Sequence, residues 1–403
     1  MENGTDKSFP ILIVGAGPVG LFLALLLARS HIPCRIIDAN ASPDTSSSKS
    51  IAYQPSVLPI LQKAGILDAV KNVGILLKDI AFRKTKTGEI IVKVPTPPNA
   101  PGVLVLPQWR LMNVIETELQ KLGVEVERGW QVVRIDNSET DHVEVIAETI
   151  AGEKKTFSGQ YLVAADGGKS FIRKSLGIAF KGETLPSQFI ATDVRYPFEE
   201  HGFSHTQFMM DPEDYGLISK MNNEGLWRVS FSVSNNISTE DEIEKALISK
   251  YNAMFPGPRP LDFEVVNAAP YKSQQLCAET MKKGRILLVG DAAHLTNPYA
   301  GLGLITGLLD VTSLAEVFHN ITFHKATDTL LQSWSEARID KYHKVTDPMS
   351  RAAFYRVQDS DLDTICERDP MFKAIKAGKM MPPSSLATDV QELEGFVGGE
   401  VDG

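Results

Sequence analysis

The stretch Ile11–Asp38, ILIVGAGPVGLFLALLLARSHIPCRIID, decides how the chain begins. Ile11–Val14 reads as a short buried strand, Leu21–Arg29 as an apolar helix and Arg35–Ile37 as a second strand. Together they make a βαβ unit. Between the first strand and the helix stands Gly15-Ala16-Gly17-Pro18-Val19-Gly20, a GxGxxG pattern. At this spacing the first glycine allows a tight turn, the second lets a pyrophosphate approach bare backbone, and the third lets helix pack closely on strand. The helix N-terminus adds partial positive charge and N–H donors suited to a diphosphate. Asp38 closes the second strand, where a carboxylate can accept hydrogen bonds from ribose hydroxyls and disfavours a 2′-phosphate. The plain alternative is a glycine turn with no ligand. Strand, helix, strand and acid in this order weigh against it. The three glycines and the proline also argue against a signal peptide or membrane anchor, as does the lack of a basic flank or cleavage site.

Working outward, 403 residues suit two domains. A hydrophobic content of 43% and a charged content of 23% are those of a soluble globular protein. The net charge of −9 argues against a nucleic-acid surface, which needs a dense basic footprint. Cys34, Cys277 and Cys366 form no close pair, so neither a disulfide scaffold nor a zinc or redox CxxC pattern is expected. No metal site is expected. A reducing, cytoplasmic compartment is.

Further elements follow from pattern alone. Helices are expected at 57–64, 67–73, 111–122, 239–254 and 327–344. A hairpin is expected at 80–94, and strands at 124–126, 131–135, 142–149, 161–165 and 263–266. From Gln188 to Val233 apolar and polar residues alternate, as in an antiparallel sheet. The tail beyond Gly378 reads as frayed. Nucleotide-style segments thus lie at both ends, with a sheet-like segment between them.

Two later stretches answer the first. YLVAADGGKSFIR, Tyr161–Arg173, is a buried strand ending in Asp166. Asp166 could simply cap the turn into the helix at Ser170. GRILLVGDAAHLTNPYAGLGLITGLLD, Gly284–Asp310, delivers Asp291 to a strand tip ahead of a helix rich in glycine. A site for NAD alone needs no such distant partner. FAD is longer: Asp291 could hold its ribitol hydroxyls, and the helix near Gly301 could aim N–H donors at the ring.

With these three motifs in order, the chain resembles the class A FAD-dependent monooxygenases, the aromatic hydroxylase family, over roughly residues 10–345. The compact length and the GLGL sequence resemble fungal secondary-metabolite members. The resemblance implies an α/β fold with a Rossmann-like FAD-binding domain of the GR2 type. A substrate domain with a mostly antiparallel sheet interrupts it, and C-terminal helices follow. The expected boundaries are 8–80, 103–177 and 277–345 for FAD, 81–102 and 178–276 for substrate, and 346–403 for the C-terminal part. FAD is the expected cofactor, with NAD(P)H as transient co-substrate and O2 as oxidant through a flavin C4a-hydroperoxide. The expected partner is a small aromatic molecule, and the expected state is a monomer or homodimer.

Residue by residue, the resemblance places Gly15, Gly17, Pro18, Val19, Gly20, Asp38, Lys49, Gln108, Arg110, Asp166, Asp291, Gly301, Gly303 and Leu304 at the cofactor. Lys49 stands where many members have arginine, and keeps the charge without the bidentate fork. AGLGLI replaces the common GGQGMN, which keeps backbone contacts but not polar side-chain ones. Arg110 could equally be a solvated helix-start arginine, and His294 a loop histidine bonded to backbone. Arg195, Tyr215 and Pro298 are the catalytic candidates, with Trp227 as a further cavity residue. LISKM, Leu217–Met221, lacks the arginine that grips simple benzoates, which disfavours them. The implied reaction is hydroxylation of an electron-rich, phenolic or polyketide-like ring, in secondary metabolism. Epoxidation of an indole or alkene is the variant. A dehydrogenase or reductase without oxygen transfer, or a flavin-free binding protein resembling the GDP-dissociation inhibitors, are the rival classes.

Overall fold

The computed structural model describes residues 9–45, 52–77, 80–94, 102–233, 237–379 and 386–397. The opening unit is β1 (Ile11–Val14), α1 (Pro18–Arg29) and β2 (Cys34–Asp38). After it come α2 (Gln108–Lys121), β3 (Val126–Arg128) and β4 (Tyr161–Ala164). The middle of the chain gives β5 (Phe180–Arg195), β6 (Thr206–Met210), β7 (Gly216–Lys220) and β8 (Leu226–Val233). Then follow α3 (Glu240–Met254), β9 (Glu264–Ala278) and β10 (Ile286–Leu288). The last long elements are α4 (Gly303–His324), α5 (Thr329–Lys341) and α6 (Asp347–Arg356).

Two large sheets result. In the first, β10, β4, β1, β2 and β3 lie side by side and parallel, with Lys282–Lys283 antiparallel on the outer edge. Every residue of β1, β4 and β10 is buried. That is why these strands read as unbroken apolar runs: the parallel sheet is covered, with side chains of α1, α2 and α4 and of a three-stranded sheet, Gln131–Asp136, Val143–Glu148 and Lys154–Gly159, in the same core. In the second, eight strands run in the order His294–Leu295, β9, β5, β8, β7, β6, Ile80–Lys84 and Ile90–Val94. All its pairs are antiparallel except β6 with Ile80–Lys84. α3 covers one face, packing Leu247, Tyr251 and Met254 against Ile190, Trp227 and Phe231. A Thr239–Glu242 capping box starts α3 where the pattern placed its start.

Three expectations are corrected. The strand foreseen at 263–266 runs on to Ala278 as β9. Its second half, PYKSQQL, breaks the apolar alternation, but pairing with β5 from Phe180↔Ala278 to Arg195↔Glu264 overrides local preference. The helix foreseen at 327–344 divides into α5 and a π turn, Tyr342–Thr346, that leads straight into α6. The tail is not frayed between Leu386 and Phe396: Leu386 and Val390 are buried, and the Leu386 carbonyl accepts a hydrogen bond from Arg338.

Among the described residues no helix is long and apolar enough to cross a membrane, and no group of three or more His, Cys, Asp or Glu could hold a metal ion. All three cysteines are free thiols. Burial pushes Cys34 up to about 11 and Cys277 up to about 12, which keeps both thiols protonated and unreactive near neutrality.

Candidate functional site

The three glycines after β1 differ in what surrounds them. A Cβ on Gly15, where φ is +108°, would lie 2.4 Å from the Ala165 carbonyl oxygen. A Cβ on Gly20 would lie 2.0 Å from the Gly15 carbonyl oxygen. Packing within the protein explains both. A Cβ on Gly17 would meet nothing within 4 Å and its φ of −71° suits any residue, so neither packing nor conformation requires a glycine there, and the space is open to a ligand. Gly17 is also the N-cap of α1, no side chain caps the helix, and Pro18 occupies its first turn. The helix-start N–H groups are therefore available to an anion. Asp38 is 8% exposed; its Oδ2 accepts from the Ala16 N–H at 2.6 Å and its Oδ1 from the Asn40 N–H at 2.7 Å. Those bonds hold the carboxylate beside the glycine turn.

Asp166 follows β4. Its Oδ2 accepts from the Ile172 N–H at 3.1 Å, while its Oδ1 is buried without a partner among the described residues. Burial raises this carboxyl above its ordinary range, against bonds from Ser170 and Ile172 that lower it. Ser170 caps the helix Phe171–Ser175. Arg173, 4% exposed, then joins this motif to the distant one, donating to the Ala292 carbonyl at 2.8 Å and the Gly168 carbonyl at 3.0 Å.

Asp291 stands exposed just past the tip of β10. The close approach behind it depends on Val19, which wedges between two glycines. A Cβ on Gly290 would lie 3.0 Å from Val19 Cγ2, and one on Gly307 would lie 2.7 Å from it. Val19 of the first motif is thus a packing residue for the last. Asp310, fully buried on α4, accepts from the Gly290 N–H at 3.0 Å. It also bonds His294 Nε2 at 2.7 Å and Arg338 Nε at 2.7 Å. Burial alone would raise the Asp310 carboxyl, but the charges and hydrogen bonds of these partners together hold it below its ordinary value. His294 is therefore not bonded to backbone through this nitrogen, as its loop position suggested, but to a carboxylate sixteen residues on. Beyond it the chain turns through Pro298–Ala300 into α4, whose start carries neither a side-chain cap nor an acidic residue. Gly301, Gly303 and Leu304 form this entry. Gln54 Nε2 donates to the Ala300 carbonyl at 2.8 Å, a contact the sequence did not disclose.

Gln108 opens α2. Arg110 on the same turn is exposed, donates to the Val73 carbonyl at 3.1 Å and lies 5.3 Å from the Trp109 ring centroid. That is the solvated helix-start reading. Lys49 falls outside the described residues.

Tyr299, beside Pro298, reaches the second sheet. Its hydroxyl is 3.2 Å from Ser232 Oγ, and its ring centroid is 5.1 Å from Phe189 and 5.8 Å from Tyr215. Tyr215 thus stands beside the Pro298 turn. Tyr271, 5.1 Å from Phe189, keeps 38% of its surface accessible although burial drives its phenol pKa upward. It lies opposite Phe189 in the register of β9 with β5 and so shares that residue's face of the sheet. Arg195 is not brought here. It lies six residues along β5 from Phe189, about 20 Å at about 3.3 Å per residue. Its Nη1 donates to the Glu224 carbonyl and its Nε is 3.6 Å from Glu264. Trp227 is corrected as well: it packs 5.1 Å from Phe198 on the α3 side of the sheet. The arginine on the cluster's side is Arg228, 5% exposed and paired with Asp193 at 2.6 Å. The alternation in LWRVSFSV was its signal: Arg228, Ser230 and Ser232 share the face opposite to Trp227, Val229 and Phe231.

A dinucleotide crevice at the carboxyl ends of parallel strands, completed by an acid and a glycine helix from the far end of the chain, defines an oxidoreductase that binds FAD. The open space at Gly17 and the orphaned Asp166 oxygen fit that cofactor. Residues 8–348 match the family described as FAD binding domain. Over 393 residues the chain is 32% identical to para-nitrophenol 4-monooxygenase of Pseudomonas sp. (strain WBC-3), covering 96% of each protein. Over 346 residues it is 31% identical to 6-hydroxy-3-succinoylpyridine 3-monooxygenase HspB of Pseudomonas putida (strain DSM 28022 / S16), covering 84% of this chain and 86% of the relative. The crystal structure of p-nitrophenol 4-monooxygenase PnpA from Pseudomonas putida DLL-E4 superposes with a TM-score of 0.84 at 31% identity, over 92% of this chain and 96% of that one. The chain belongs to the FAD binding domain family, has the class A flavoprotein hydroxylase fold and is an FAD-dependent monooxygenase.

Proposed function

We propose that the enzyme hydroxylates a phenolic ring with NAD(P)H and O2. The observation that carries this reading is the turn Pro298–Ala300, which continues the Asp291 segment and sets Tyr299 into a cluster of Phe189, Tyr215 and Tyr271 on the second sheet. An aromatic wall beside the cofactor segment suits a flat ring. The two relatives support it, since both are by name monooxygenases of hydroxylated six-membered rings.

In this reading, Gly17, Pro18 and Val19 at the start of α1 receive the diphosphate, Asp38 the adenosine ribose and Asp291 the ribitol. Gly301, Gly303 and Leu304 receive the ring's pyrimidine end through backbone N–H groups. Gln108 and Asp166 complete the crevice. Pro298 borders the reacting edge, and Tyr215 and Tyr271 line the substrate side. When bound there, FAD would supply the hydride acceptance from NAD(P)H and the activation of O2. The protein excludes water and orients the ring. The balance is ArH + NAD(P)H + H⁺ + O2 giving ArOH + NAD(P)⁺ + H2O. The first sheet with its helices and the His294–Leu295 edge strand forms the discontinuous FAD-binding part, 8–80, 103–177 and 277–345, and the rest of the second sheet falls mainly in the inserted substrate part, 81–102 and 178–276.

The test is the visible spectrum of the purified protein with FAD, before and after anaerobic NADPH or NADH, followed by turnover with 4-nitrophenol. Flavin bleaching, then product carrying an oxygen atom from labelled O2, is expected. A protein that takes up no FAD overturns the reading. NAD(P)H consumption without oxygenated product across simple phenols transfers it to a reductase.

A further inference from the structure

The turn at Pro298 is held by a buried polar cluster built around Gln275, a residue with no assigned part in the crevice. Gln275 is 1% exposed, and Asn297 and Ser350 are fully buried. Gln275 Oε1 accepts from the Asn297 N–H at 2.6 Å, from Asn297 Nδ2 at 3.2 Å and from the Ser350 hydroxyl at 3.0 Å. Gln275 Nε2 donates to Asp347 Oδ1 at 2.8 Å. The Asp347 carboxylate can only accept, so it fixes the amide with its nitrogen outward and its oxygen toward Asn297. Arg351 clamps Asp347 through Nε at 3.0 and 2.9 Å and reaches Glu183 through Nη1. Asn297 in turn caps the turn, its Oδ1 accepting from the Tyr299 N–H at 3.1 Å. The same helical segment grips the loop upstream, where the Tyr342 hydroxyl donates to the Leu295 carbonyl at 3.0 Å. Tyr342 begins the π turn, a distortion frequent at functional sites.

Gln275 and Tyr271 lie on one strand, β9, four residues and about 13 Å apart at about 3.3 Å per residue. One strand therefore carries both Tyr271, paired with Phe189 of the aromatic cluster, and the grip on the Pro298 turn. We propose that Gln275 is a positioning residue: it ties the turn bordering the flavin to the strand that borders the substrate, and so sets how far apart the two rings lie. This rests on the reading of Pro298 as neighbour of the reacting edge. Oxygen transfer depends steeply on such a distance, whereas flavin reduction by NAD(P)H does not use it. With the tie cut, activated oxygen is lost as hydrogen peroxide: NAD(P)H + H⁺ + O2 gives NAD(P)⁺ + H2O2.

The test uses the FAD-loaded wild type, Gln275→Met, and the double variant Gln275→Glu with Asp347→Asn. The double variant reverses donor and acceptor across one bond while keeping an oxygen toward Asn297. Amide hydrogen exchange at Asn297 should quicken at least tenfold in Gln275→Met and return toward wild type in the double variant, with Val163 unchanged in both. Product per NAD(P)H with 4-nitrophenol should fall at least fivefold in Gln275→Met, with peroxide making up the difference and the FAD dissociation constant within threefold. It should recover in the double variant. Equal Asn297 exchange in all three proteins overturns the proposal, as does a loosened turn with unchanged coupling. Wild-type failure on 4-nitrophenol sinks only the substrate reading; coupling is then read with a simple phenol that the wild type does oxygenate, beside the same exchange measurement.

Discussion

Replacing Gly17 by alanine should leave the apo-protein as stable as the wild type and cripple its hold on FAD. Gly17 sits at φ −71° and ψ 177°, a conformation open to any L-residue, and a Cβ there meets nothing within 4 Å. No internal clash follows, and the reduced freedom of the unfolded chain stabilises by about 0.4–1 kcal/mol. The new methyl group instead fills the space through which a diphosphate reaches the N–H groups at the start of α1. Losing two charge-assisted hydrogen bonds of about 1.5–3 kcal/mol each weakens FAD binding by about 3–6 kcal/mol. That corresponds to a factor of roughly 10²–10⁴ in Kd. Gly20→Ala is the contrast: its Cβ would stand 2.0 Å from the Gly15 carbonyl oxygen, so the backbone must move and the apo-protein itself loses stability. Both variants are deflavinated, melted to compare stability, and titrated with FAD while flavin fluorescence is followed. A wild-type Kd in Gly17→Ala would refute the reasoning. So would an apo Gly17→Ala that melts below Gly20→Ala.

Asp291→Ala should purify with the fold intact and little flavin, because ribitol hydrogen bonds of about 1.5–3 kcal/mol are lost; a full flavin-to-protein absorbance ratio would contradict the assignment. Asp310→Asn leaves Arg338 buried without its anion and should cost about 3–5 kcal/mol in denaturant unfolding. Because the Asp310 carboxyl is held below its ordinary value, its contribution is present above that value and lost as pH falls through the lowered one. The wild type should therefore show an acid limb of stability that flattens in Asp310→Asn, and parallel pH profiles would argue against the network. Arg195→Ala should change kcat/KM less than twofold and stability by no more than about 1 kcal/mol, since its partners are exposed and remote from Tyr299; a large loss of turnover would restore it as a catalytic candidate.

Much of the cofactor side was legible because its chemistry is local. The backbone cradle proposed for the diphosphate is built within one turn, so Gly15, Gly17 and Gly20 stand together in sequence. Asp38, Asp166 and Asp291 each follow an apolar run, because a strand ending at the crevice is what presents a carboxylate there. The same locality misled at His294, whose partner Asp310 no nearby residue announces, and left two readings open at Arg110, which bonds the distant Val73 carbonyl.

Spacing and alternation along the chain express the βαβ start, the two later acid-bearing strands and the antiparallel middle directly. Which faces meet depends on how the elements pack. Alternation in LWRVSFSV divides Arg228 from Trp227 but does not say which side looks toward Tyr299; the pairing of β8 with β5 and the packing of α3 settle that. The pairing of β9 with His294–Leu295 likewise carries Gln275 to Asn297, and its register with β5 leaves Arg195 at the far end. Val19 meets Gly290 and Gly307 only because the turn after β10 and the helix α4 return beside α1, 271 and 288 residues later. Such contacts depend on how distant segments are laid against one another, and no period of two or of 3.6 residues records it.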